Sequence, residues 1–88
     1  MSPTKEKLLQ RIREKRCKAV RFDDLCSLVG KYGWVLDRIA KNAHYHYTHP
    51  GHPNMIINIA KPHSGDEVKP VYCKKALELI EEIAEYDE

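Results

Sequence analysis

Residues 34–53 read Trp-Val-Leu-Asp-Arg-Ile-Ala-Lys-Asn-Ala-His-Tyr-His-Tyr-Thr-His-Pro-Gly-His-Pro. Within this stretch His44, His46 and Thr48 alternate strictly with Tyr45, Tyr47 and His49, the period-two pattern of a strand with two different faces. Trp34 to Ile39 reads as a strand before it, joined through the short connection Ala40 to Ala43. Pro50 to Asn54 is turn chemistry, and Met55 to Ala60, with Ile56, Ile57 and Ile59, reads as a third strand. Connections this short fit an antiparallel meander.

Working outward, Leu25, Leu28, Val29 and Tyr32 recur at the spacing of a core-facing helix, with Asp23 as its expected N-cap and Gly33 as its stop. Upstream, Ser2-Pro3 has the form of a helix start. Leu8, Leu9 and Ile12 then give a thin apolar stripe on a basic helix running to about Arg16. Downstream, Lys61 to Pro70 reads as a loop, and Pro70 opens a helix carrying Cys73, Ala76, Leu77, Ile80, Ile83 and Ala84 on one face. The expected fold is α+β: a three-stranded antiparallel sheet with two helices on one face and an additional basic helix at the N-terminus. Tyr32, Trp34, Tyr45 and Tyr47 are then expected in the core, and His44 on the open face of the sheet.

An 88-residue chain supports one modest core. No apolar run is long enough for a membrane span, and the N-terminus lacks the apolar core of a signal peptide. Three cysteines without a C-x-x-C spacing fit reduced thiols in a cytoplasmic protein. Residues 1–21 carry eight Lys/Arg against two acids, and residues 71–88 carry two against six. That polarity suits either a polyanion partner or two oppositely charged helices lying side by side.

The histidines carry the chemistry. An imidazole that titrates near neutrality, beside a cation, is the minimum equipment for handling a phosphodiester. His44 is the candidate base or acid, Lys41 and Arg38 are candidate phosphate contacts, and His46 shares a strand face with His44. Arg38 has an alternative partner in Asp37 or an acid of the last helix. A competing reading makes His44 and His46 metal ligands, with His49 or His52 as a third. No carboxylate or cysteine stands nearby in sequence to complete such a site, and no cofactor is expected.

Phe22-Asp23-Asp24-Leu25, Tyr32-Gly33-Trp34, Arg38, Asn42-Ala43-His44, His49-Pro50 and Lys69-Pro70-Val71-Tyr72 occur in an order that resembles the HicA (YcfA-like) toxins of bacterial toxin–antitoxin pairs. The resemblance implies a double-stranded-RNA-binding-domain-like α-β-β-β-α fold over residues 22–88, preceded by an extension over residues 1–21. It implies an endoribonuclease that cleaves mRNA, with His44 as the catalytic histidine. The expected partners are mRNA and a cognate HicB-like antitoxin. Asn42, His46 and His63 join Lys41 and Arg38 as candidate RNA contacts, His63 because the loop after the third strand runs near the active histidine in that family. The usual family motif is Gly-Ser-His, whereas here Asn42 and Ala43 precede His44. Loss of the glycine and the hydroxyl favours an alternative in which the fold binds RNA or antitoxin and cleaves weakly. The loop from Lys61 to Glu67 is also longer and more acidic than the family's link.

Overall fold

The computed structural model describes residues 4–86, with side chains to Ile83. The elements follow the order α1 (Lys5–Glu14), α2 (Phe22–Lys31), β1 (Val35–Ala40), β2 (His44–His49), β3 (His52–Ala60) and α3 (Pro70–Tyr86). The sheet is antiparallel in the order β1-β2-β3, the meander that the short connections imply.

The expected start of α1 at Ser2-Pro3 lies outside the described residues. Thr4 is the N-cap, its hydroxyl accepting from the Lys7 N–H at 3.3 Å. The helix stops at Glu14, short of Arg16, because Arg16, Cys17 and Ala19 take left-handed φ values of 53°, 60° and 54°. Its stripe of Leu8, Leu9 and Ile12 is buried with Cys17 and Val20 in the common core. The basic first helix packs mainly on α2 and meets the acidic last helix at an ion pair between Arg13 and Glu81. Lys5 adds a cation–π contact, its Nζ 5.0 Å from the centre of the Tyr32 ring.

Helix α2 begins one residue before the expected cap, Asp23. The Phe22 N–H donates to the Asp66 carbonyl at 2.6 Å, and the Val68 N–H donates to the Val20 carbonyl at 2.8 Å. A backbone bridge between Arg21 and Glu67 thus does the work of a side-chain cap. Asp23 and Asp24 fall in the first turn, where the helix dipole favours their charge. Gly33 ends the element with φ +90°. The Trp34 N–H still donates to the Val29 carbonyl of that helix end, so β1 starts at Val35 rather than Trp34.

Strand β2 has the expected bounds, whereas β3 starts at His52 instead of Met55. The pairing of His49 with His52 leaves only Pro50-Gly51 as the turn. Pro53 lies inside the strand, which an edge strand accommodates. Tyr45 pairs with Ile59 and Tyr47 with Ile57 on the face covered by the helices. There Ile57 and Ile59 are buried with Leu25, Leu28 and Val29 of α2 and with Cys73, Ala76, Leu77, Ile80 and Ile83 of α3. Trp34 is buried, Tyr32 packs against the same cluster, and Tyr45 meets Phe22 edge to face at 5.0 Å. The three cysteines are free thiols; Cys17 and Cys73 are buried.

Candidate active site

The register sets out the uncovered face of the sheet in rows. Ala40, His44 and Ala60 form one row, Arg38, His46 and Asn58 the next, and Val35, Thr48 and Ile56 the third. A bulge between Leu36 and Arg38 accommodates Asp37 and keeps Arg38 opposite His46. Arg38 pairs with neither Asp37 nor an acid of α3 among the described residues, which leaves its charge available on this face.

His44 owes its place to the turn before it. Lys41 and Asn42 have φ values of 54° and 62°, and the Ala43 N–H donates to the Ala40 carbonyl at 3.1 Å. Two successive left-handed residues make the type I′ turn that matches strand twist, and β2 begins directly after it. The Lys61 N–H donates to the Ala43 carbonyl at 2.7 Å, carrying the β2–β3 ladder one step past Ala60. Lys61 is thereby held beside the end of the strand that carries His44.

From Lys61 the chain leaves the sheet, turns at Gly65 with φ +78° and returns to α2 through the Asp66 and Val68 backbone bonds. An ion pair of 3.1 Å between Arg21 and Asp66 secures that return. Between the end of the sheet, this loop and the start of α3 lies a cleft of about 400 Å³. His44, Lys61, His63, Glu67, Lys69 and Tyr72 line it. The Lys69 carbonyl accepts from the N–H groups of Tyr72 and Cys73, so the cleft sits at the N-terminal end of α3. Neither Lys61 nor Lys69 forms an ion pair among the described residues.

Of the residues singled out from sequence, the structure gathers His44 and His63 at this cleft. Lys41 and Asn42 are exposed in the adjoining turn and do not line it; Arg38 and His46 lie on the open face one row away. The cations that share the cleft with His44 are Lys61 and Lys69, which sequence reasoning did not single out as phosphate contacts. The available signal was the Lys69-Pro70 step at the head of a helix and a lysine directly after the last strand residue.

The other end of β2 is built differently. His49 Nδ1 accepts from the Gly51 N–H at 3.0 Å. Its ring stands edge to face against Trp34 at 5.5 Å and against His52 at 5.3 Å. This packing takes His49 away from the proposed cluster with His44 and His46. Among the described residues no three His, Cys, Asp or Glu side chains come together to hold a metal ion. Behind the sheet, Tyr47 is pushed well above its ordinary pKa by burial and by its hydrogen bond with Cys26, and burial likewise raises Cys26. Among the described residues no helix is long and apolar enough to cross a membrane.

Against this geometry, the family described as the HicA toxin of bacterial toxin-antitoxin pairs matches residues 22–81, from the first residue of α2 into α3. The match takes in every residue that lines the cleft. No curated protein and no solved structure matches the chain.

Proposed function

The chain belongs to the HicA toxin family, and from that membership we propose that it is an endoribonuclease that cleaves mRNA with His44 as an acid/base group. A cognate antitoxin partner follows from the family; we take it to be HicB-like and to cover the open sheet face. The observation that carries the reading is the placement of a half-buried His44 in a cleft with two lysines that form no ion pair among the described residues.

RNA brings its own nucleophile, the 2′-hydroxyl. Cleavage then requires a base for that proton, positive charge around the phosphorane and an acid for the departing oxygen. His44 supplies proton transfer, and Lys61 and Lys69 supply charge, with the positive end of the α3 dipole beside them. Arg38, His46, Lys41 and Asn42 extend a polar and basic track from the cleft over the open face and the turn, suited to neighbouring phosphates. In this reading residues 22–88 are the toxin domain and residues 1–21 an extension, whose Leu8, Leu9, Ile12, Cys17 and Val20 share the domain's core, with the toxin acting in the cytoplasm.

Ala43 favours a second reading, a module that keeps RNA and antitoxin binding while cleaving weakly, because no hydroxyl stands before His44. Asn42 does not favour it, since its backbone already occupies the left-handed region that a glycine would take. One experiment separates the readings: His44→Ala in a growth-arrest assay, an RNA-cleavage assay run in a strong chelator, and an antitoxin-binding assay. Loss of the first two with binding retained supports the nuclease. A wild-type chain that binds RNA and antitoxin without cutting supports the module.

A further inference from the structure

Resting on the nuclease reading, we infer that His63 is the second proton-transfer group of the cleft, the general acid that protonates the leaving oxygen. His44 and His63 reach one opening from different elements, a strand and the loop beyond the next strand. That loop is tied at both ends. Lys61 is bonded to Ala43 before it; Asp66 and Val68 are bonded to Phe22 and Val20 after it. Only residues 62–65 lie between, and Pro62 removes one of their free backbone dihedrals. His63 is therefore exposed yet confined to the rim of the cleft, as a proton donor to a departing RNA chain must be.

The cleft's volume of about 400 Å³ falls within the range of small-ligand sites. His46, the other imidazole near His44, does not line it. The remaining titratable groups that line the cleft with His44 and His63 are Lys61, Glu67, Lys69 and Tyr72, from the end of β3, the loop and the start of α3. The lysines flank the phosphate, and the two imidazoles divide the proton transfers. The 2′-hydroxyl proton passes to His44 as the O2′–P bond forms. The P–O5′ bond breaks as the His63 imidazolium gives its proton to O5′. The products are a 2′,3′-cyclic phosphate and a 5′-hydroxyl end, and exchange with water resets both rings.

The test uses the full chain and an RNA oligonucleotide spanning a mapped cut, made with either oxygen or sulfur as the 5′-bridging atom. A thiolate leaves without protonation, so sulfur removes the need for an acid. His63→Gln is expected to lose about 10²-fold or more in kcat/KM on the oxygen substrate. It recovers to within about 10-fold of wild type on the sulfur substrate, and its pH–rate profile lacks the alkaline descending limb. His44→Ala is expected to fail on both substrates. Equal losses on both substrates for His63→Gln, or an unchanged rate and profile, overturn the inference while leaving His44 in place. Sulfur rescue of His44→Ala instead of His63→Gln overturns the assignment of roles. Full activity of His44→Ala, or no cleavage by wild type, overturns the parent reading.

Discussion

Strand β2 begins and ends with a histidine, and the two ends differ in kind. At its end, His49 has a ring nitrogen occupied by the Gly51 N–H, a ring against Trp34 and its Nε2 close to Gly33. At its start, His44 lines an open cleft with Lys61 and Lys69, and its side chain forms no hydrogen bond or ring contact among the described residues. One side chain is fixed by its neighbours and the other stands open at the cleft. Residue type does not separate them. What separates them is whether the surrounding elements satisfy the ring.

The largest expected effect tests that contrast at the open end. His44→Ala should lower RNA cleavage by about 10²- to 10⁴-fold, the usual share of a positioned acid/base group. Its stability should change by less than about 0.5 kcal/mol, because no side-chain hydrogen bond, ion pair or ring contact of His44 is lost among the described residues. Single-turnover cleavage and urea unfolding measure the two. A large stability loss together with the activity loss would erase the distinction between the ends.

The packed end should show the converse. His49→Ala removes two ring contacts and one hydrogen bond, and should cost about 1–2 kcal/mol in urea unfolding. Cleavage by the folded fraction should stay within about threefold of wild type. Gly33→Ala places a left-handed backbone and a Cβ 3.3 Å from His49 Nε2, for a comparable cost. In a His49→Ala background the steric part disappears and only the φ strain remains, so the two costs should be less than additive. Strict additivity would show that Gly33 acts through its backbone alone.

The faces of β2 were legible in the sequence because alternation at period two survives whatever packs on it: tyrosines went in and His44 and His46 went out. The α3 face was legible for the same reason at its own period. The cleft was not. Lys61, His63, Lys69 and Tyr72 meet only because the Asp66 and Val68 backbone bonds return the loop to α2. Those bonds join main-chain atoms far apart in sequence, and side-chain patterns carry no trace of them. The same bonds displaced the expected cap from Asp23. The packing of His49 was not legible either, because the group that fixes its ring is a backbone N–H two residues on.

A smaller effect reads the covered face between the two ends. Tyr47 is held above its ordinary pKa of 10.0 by burial and then by the Cys26 hydrogen bond, and Cys26 above its ordinary 9.0 by burial. From about pH 9 upward the unfolded chain releases protons that the folded chain retains, so stability falls as pH rises. Tyr47→Phe removes the tyrosine's share. Its stability should decline less steeply than wild type above pH 10, as followed by thermal melting across that range. Parallel curves would mean that Tyr47 ionises in the folded state as readily as in the unfolded one.

The smallest effect returns to the open end and asks why Asn42 stands where the family's usual motif has glycine. With φ at 62°, the position requires a residue that accepts the left-handed region, and asparagine accepts it at modest cost. Asn42→Gly relieves that cost but loosens the unfolded chain, so the net change in stability should be below about 0.5 kcal/mol. If turn geometry is the whole reason for glycine, cleavage should also move by less than about threefold. A gain of tenfold or more at unchanged stability would instead assign the glycine to close approach of backbone and phosphate. The turn beside His44 would then be part of the RNA site in its own right.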